Sequence, residues 1–376
     1  PYTDQLTPAE VSTFGGVFGR LATNIEAVLL GKADVVRLAL TAMFAEGHLL
    51  IEDVPGVGKT TIARAIAASV QGKWRRIQFT PDLLPSDVSG VTIFNQQTRT
   101  FEFHPGPVFA NVVIADEINR ASPKTQSALL EVMEEQYVTI DGVRHRVPRP
   151  FLVVATQNPI EMDGTYRLPE AQLDRFIMRI SVGYPTEAVE IEVVRGAVGG
   201  RSVEALRPVT DTETIARLVS LAQRVYIAPP LYSYAVSLAA ATREVSDVRV
   251  GVSPRGAIAL TKAAQVFALS QGRGYVIPED IKALVEPVYA HRLVMSPDAA
   301  LRGRSSESAL RDVVDAVSVP RPGAHDAAPA TSLPSAGGVP QPLPPHSGPP
   351  ASPQQPPHQA QQYPPQAHQP QDVGWR

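Results

Sequence analysis

Asp53-Val54-Pro55-Gly56-Val57-Gly58-Lys59-Thr60 is the stretch on which the reading of this chain turns. A Gly-x-Gly-Lys-Thr run can form a loop whose backbone N–H groups surround phosphate oxygens. The lysine then meets the terminal phosphates and the threonine hydroxyl meets magnesium. The flanks fit that geometry. His48-Leu49-Leu50-Ile51-Glu52 reads as a short buried strand, and Thr61-Ile62-Ala63-Arg64-Ala65-Ile66-Ala67 reads as the helix that opens on the phosphates. One departure stands in the motif. The usual pattern begins with glycine five positions before Gly58, where this chain has Asp53.

A second motif completes the chemistry. Val112-Val113-Ile114-Ala115-Asp116-Glu117 is an apolar strand ending in two carboxylates, about 60 residues after the loop, as in a nucleoside-triphosphatase core. Asp116 is suited to hold magnesium through water, alongside Thr60. Glu117 is suited to polarise the water that attacks the γ-phosphate. An Asp-Glu pair is also common at helix N-termini, where it complements the macrodipole. With the loop upstream, ATP hydrolysis with ATP and Mg2+ bound is the stronger reading.

Composition narrows the class. The 376 residues leave room for two domains of about 100–200 residues each. A net charge of -3 gives no general pull toward nucleic acid or anionic lipid. The absence of cysteine excludes disulfides, thiolate metal sites and cysteine nucleophiles. No apolar run approaches the roughly 18 residues of a membrane span, and the N-terminus carries no basic-then-apolar leader pattern. The expectation is a cytoplasmic protein with no membrane insertion.

From Pro320 to Arg376 the chain has 16 prolines in 57 residues, with Gln, His, Ala, Ser and Gly making up most of the rest. Such a segment buries too little apolar surface to offset the entropy of ordering it, so disorder is expected. Its Pro-Pro pairs suit aromatic grooves, and a solubilising or tethering tail is the plainer alternative.

Between the motifs, apolar strands alternate with helical stretches. Strands are expected near 48–52, 75–79, 111–116 and 151–155, and helices over 58–70 and 122–135, after two helical pieces in 16–45 broken at Leu30-Gly31-Lys32. That order predicts an α/β fold with a parallel sheet, helices on both faces, and both motifs at strand carboxyl ends. Two hairpins interrupt it, Gly90–Phe103 and Tyr137–Arg146, the second turning at Asp141-Gly142. From about Asp211 the sequence turns alanine-rich and helical over 211–226, 230–246, 254–271 and 278–291, predicting a small all-α lid. The resulting division is an N-terminal extension (1–15), a core (16–184) and a linker (185–210). A lid (211–300), a helical or irregular end (301–319) and the tail (320–376) follow.

The residues at this point resemble the MoxR group of AAA+ ATPases over roughly residues 16–295. Phe79-Thr80-Pro81-Asp82-Leu83-Leu84-Pro85-Ser86-Asp87 is similar to the segment before that family's extra hairpin. Pro105-Gly106-Pro107-Val108-Phe109-Ala110-Asn111 leads into Asp116-Glu117-Ile118-Asn119-Arg120-Ala121 as it does there. The family tolerates an acidic residue at the Asp53 position.

The resemblance implies further roles. Within the loop, Pro55, Gly56, Val57, Gly58, Lys59, Thr60 and Thr61 bind the nucleotide. Asn158, in Ala155-Thr156-Gln157-Asn158-Pro159, resembles sensor 1, holding the attacking water or a γ-phosphate oxygen. Arg175, in Leu173-Asp174-Arg175-Phe176, resembles the arginine finger that crosses to a neighbour's ATP. A salt bridge to Asp174 or Glu170 is its structural alternative. Arg255, in Ser253-Pro254-Arg255, resembles sensor 2, in cis or in trans. Gly31-Lys32 resembles the turn beside the adenine.

A finger acting in trans implies a homo-oligomeric ring, with a hexamer expected. The family implies a chaperone-like ATPase that remodels or matures partner proteins, including those with von Willebrand factor A domains. A nucleic-acid motor or loader is the alternative, since Arg144, His145, Arg146 and Arg149 gather on the second hairpin. Against it stand the acidic balance and the lack of interleaved aromatic residues. A magnesium chelatase-like subunit is a further reading, and a slowly turning scaffold is the non-enzymatic one.

Overall fold

The computed structural model describes residues 5–54, 56–157, 165–200 and 202–320. Pro55, Asn158 and the tail from 321 onward lie outside the described residues. The chain opens with α1 (Pro8–Glu26) and α2 (Ala33–Phe44), then β1 (His48–Glu52) and α3 (Lys59–Ser69). Next come β2 (Trp74–Gln78), the short α4 (Pro85–Ser89), and a hairpin of β3 (Gly90–Asn95) and β4 (Thr100–Pro105). β5 (Val112–Asp116) runs into α5 (Pro123–Glu135), followed by the hairpin of β6 (Tyr137–Ile140) and β7 (Val143–Arg146). β8 (Leu152–Gln157), α6 (Glu170–Leu173) and β9 (Phe176–Ile180) complete the α/β part. Mostly helix follows: α7 (Glu187–Val198), α8 (Thr212–Ala222), α9 (Pro229–Glu244), α10 (Pro254–Ser270), α11 (Pro278–Tyr289), α12 (Pro297–Leu301) and α13 (Ser306–Ala316).

Five strands form one parallel sheet in the order β2-β5-β8-β1-β9. The alternation of side chains along a strand divides the core in two. Leu49, Ile51, Ile114 and Val154 face one layer, and Leu50, Val113, Ala115 and Val153 the other. α5 covers the second face through Leu129, Leu130 and Met133. On the first face Phe14, Leu40 and Ile66 share one continuous apolar cluster with Leu218, Leu260, Leu284 and Leu310 of the C-terminal helices. The helical region therefore packs into the same core as the N-terminal helices. Among the described residues no helix is long and apolar enough to cross a membrane.

Three elements differ from the sequence expectation. α1 begins at Pro8, inside the expected extension, because Thr7 and Glu10 form a capping box there; Gly15, Gly16 and Gly19 had obscured its periodicity. The expected linker contains α7, a helix with no buried residue that exposes Ile191, Val194 and Val198. β9, one of the sheet's two edge strands, was missed because its five residues are few and Arg179 interrupts their apolar run.

His48, the first residue of β1, is buried. Its Nδ1 accepts from Val153 N–H at 3.1 Å, so Nε2 carries the proton and donates to the Met133 carbonyl at 3.0 Å. Burial pushes its pKa down to about 4 from 6.5, the hydrogen bond to Met133 opposing. The unfolded imidazole takes up a proton near 6.5 and the folded one does not. The stability it supports is thus complete above that pH and falls as pH drops toward 4. Between pH 7 and pH 5 the expected loss is about 2 kcal/mol. Denaturant titrations at the two pH values measure it, with His48→Gln as control. Equal losses in wild type and variant would show that His48 is not the cause.

Candidate active site

The phosphate loop joins β1 to α3. Gly56 (φ 85°) and Gly58 (φ 95°) adopt left-handed backbone that side-chain-bearing residues rarely take. A Cβ on Gly56 would meet nothing within 4 Å. Its glycine is required by conformation, and the space above it is open. α3 starts at Lys59 with no side-chain cap, so its first N–H groups remain available to an anion. Lys59 Nζ donates to the Asp53 carbonyl at 2.5 Å, and Val57 packs against the core.

Asp53 stands where the usual motif has glycine. Its carboxylate turns toward the end of β9, accepting from Gly183 N–H at 2.6 Å and Ser181 Oγ at 2.8 Å, and from Val54 N–H at 2.8 Å. Burial alone would raise its carboxyl. The hydrogen bonds, led by Gly183, outweigh burial and hold it below the usual carboxylate range. The residue pins the loop to the sheet edge.

Asp116 and Glu117 meet the loop at the end of β5. Thr60 Oγ1 lies 3.4 Å from Asp116 Oδ2, which also accepts from Arg76 Nε at 2.6 Å. Thr156, the penultimate residue of β8, donates to Asp116 Oδ1 at 3.2 Å and accepts from Glu117 N–H at 3.0 Å. Glu117 is in left-handed backbone (φ 55°), a costly conformation for such a residue, found at functional sites. Its Oε2 accepts from Gln78 Nε2 at 2.9 Å and Arg120 Nη1 at 3.2 Å. Arg76, Gln78 and Thr156 were missed from sequence, because only strand register brings Gln78 opposite Asp116.

The donor set fits a magnesium nucleotide. An open glycine loop and helix N-terminus suit phosphates, and a hydroxyl beside a carboxylate suits a hard, partly hydrated cation. Among the described residues no group of three or more His, Cys, Asp or Glu side chains could hold a metal by itself.

Gly31 and Lys32 lie against the segment that follows β9. Lys32 Nζ donates to the Tyr184 carbonyl at 3.0 Å, and a Cβ on Gly31 would come within 3.0 Å of Val189. The turn thus sits against the same segment that Asp53 holds.

Arg175 and Arg255 are brought together, but elsewhere. Arg175 immediately precedes β9, whose first residue Phe176 pairs with His48 at the start of β1. The phosphate loop leaves the other end of β1, one five-residue strand away, which is about 16 Å. Arg175 Nε donates to Glu134 Oε2 at 2.9 Å, and Arg255 Nη2 donates to Glu134 Oε1. Neither expected alternative partner is used. Asp174 instead accepts from Arg292 Nε at 2.6 Å and Ser253 Oγ at 2.8 Å, and Glu170 lies 3.7 Å from Arg249. Asp174 thereby ties the start of α10, and with it Arg255, to the start of β9.

Three of the four basic residues at the second hairpin contact neighbours within the fold, and Arg146 is exposed. Arg144 lies over the Tyr137 ring, His145 stacks on Phe103 at 4.1 Å, and Arg149 donates to Gln136. The first hairpin exposes Phe94 and Phe101.

Residues 48–178 match the model for the ATPase family associated with various cellular activities (AAA), and residues 240–313 match the AAA lid domain. YeaC of Bacillus subtilis (strain 168), an uncharacterized protein, is 48% identical over 304 residues, covering 81% of this chain and 95% of its own length. Chaperone MoxR1 of Mycobacterium tuberculosis (strain ATCC 25618 / H37Rv) is 39% identical over 333 residues, covering 84% and 88%. A crystal structure from Cytophaga hutchinsonii, of a protein proposed to be an ATPase, has a TM-score of 0.78 at 35% identity. It covers 83% of this chain and 98% of that one. With a parallel sheet, a glycine loop facing paired carboxylates and a helical lid, this chain belongs to the MoxR family of AAA+ ATPases.

Proposed function

We propose that this ATPase is magnesium-dependent, converts ATP and water to ADP and phosphate, and works in the cytoplasm as a ring, with six subunits expected. Its cycle remodels or matures partner proteins, clients with von Willebrand factor A domains among them. The observation that carries the assembly reading is the strand-length separation between the phosphate loop and the Arg175–Arg255 pair. Neither arginine serves its own loop in this arrangement, so both are assigned to a neighbour's nucleotide.

Glu117 takes a proton from water as the water oxygen bonds to the γ-phosphorus and the bond to the β–γ bridging oxygen breaks, leaving ADP. Lys59 and the α3 N–H groups balance the phosphate charge, and Asn158 orients the water. Thr60, and Asp116 through water, would hold magnesium, which would supply charge neutralisation on the phosphates. Gln78 and Arg120 set where the Glu117 carboxylate waits.

Steady-state hydrolysis over a protein concentration series tests the reading. Specific activity is expected to rise cooperatively with concentration and to vanish when magnesium is chelated. Activity per subunit that stays constant down to concentrations where sedimentation shows only monomer would overturn the ring.

A further inference from the structure

Glu134 stands at the C-terminal end of α5, where each carboxylate oxygen holds one of the two arginines. The contact to Arg175 uses Nε alone, leaving both Nη groups of that planar fork outside it. A cavity of about 180 Å³ adjoins them, lined by Met133, Glu134, Arg175, Arg255 and Lys262. Arg292 also lines it but is paired with Asp174, and Glu46 is a further acidic residue there, so Glu134 is the carboxylate shared between Arg175 and Arg255.

We propose that Glu134 is a positioning residue for the arginine pair, gathering two like charges so that their remaining donors meet a neighbour's γ-phosphate together. The proposal rests on the reading that Arg175 and Arg255 act in trans. Two guanidiniums reaching one carboxylate lie within a few ångströms of each other and repel. Without that counter-charge, each long side chain regains its rotamer freedom and leaves the shared point. The Arg175 hydrogen bond holds the Glu134 carboxyl below the usual range, against burial and with Arg255 assisting, so it stays charged at neutral pH. All three side chains are partly exposed, so the cluster contributes little to folding. Its loss leaves the subunit intact.

The test compares full-length Glu134→Ala, Glu134→Gln and Arg175→Ala in ATP hydrolysis, ATP binding, and mixtures with Glu117→Gln subunits. Glu134→Ala is expected to lower kcat about 10- to 100-fold, the cost of misplaced groups, with KM and ATP affinity unchanged. Glu134→Gln is expected to recover part of the rate, since its carbonyl oxygen still accepts from one arginine. Mixing Glu134→Ala with Glu117→Gln should raise activity above the sum of the two, because each Glu117→Gln subunit brings an intact pair. Full activity of Glu134→Ala beside a dead Arg175→Ala would overturn the proposal. So would a loss that mixing fails to repair while Arg175→Ala is repaired, which would mark a fold effect within the subunit. Full activity of Arg175→Ala would instead overturn the trans reading, and this proposal with it.

Discussion

Glutamine in place of Glu117 is expected to lower turnover by about 100- to 10,000-fold, the usual worth of a general base, while ATP still binds. The substitution removes a proton acceptor without disturbing its surroundings. Lys59, Thr60 and Asp116 are untouched, and Asp116 keeps its Thr156 and Arg76 partners. A glutamine carbonyl oxygen can still accept from Gln78 or Arg120, the two donors now on Glu117. The left-handed backbone at this position is equally hard for either residue, so stability is expected to change by less than about 0.5 kcal/mol. Single-turnover hydrolysis and titration with a fluorescent nucleotide separate the two effects. A variant that turns over at the wild-type rate would remove Glu117 from the chemistry.

Arg175→Ala is expected to cut kcat by about 1,000-fold or more, the range seen for arginine fingers, again with ATP affinity retained. Loss of the side chain leaves no uncompensated buried charge, because Glu134 is partly exposed and keeps Arg255. The fold is therefore expected to persist, which circular dichroism checks. Mixing with Glu117→Gln, inactive for a different reason, should restore part of the rate wherever an intact arginine faces an intact carboxylate. A mixture no more active than its parts would count against catalysis between subunits.

The loop, the paired carboxylates, four of the five sheet strands and both hairpins were legible because each is a local pattern. Glycine spacing, an apolar run ending in acid, and Asp-Gly in a hairpin turn all act within a few residues. What stayed hidden depends on distance in the chain. Asp53 looked like a flaw in the motif until Ser181 and Gly183 supplied its partners. Gln78 and Arg76 reach the carboxylates only through the register of β2 on β5. Glu134 reaches Arg175 only because α5 carries it there, near the far end of a 13-residue helix of about 20 Å. α7 was hidden for another reason: its apolar residues face outward, so they mark no core.

The parallel sheet that puts phosphate loop and arginine pair at opposite ends has a consequence in counting. If each subunit lends its arginines to the next, an open row of n subunits completes n − 1 sites, and a closed circle completes n. A lone subunit then has none and a pair has one. Closure adds a site without adding a chain, and the gain is proportionally greatest in small assemblies. A head-to-tail contact of this kind either closes or runs on as a filament, so the angle between neighbours decides whether that last site exists.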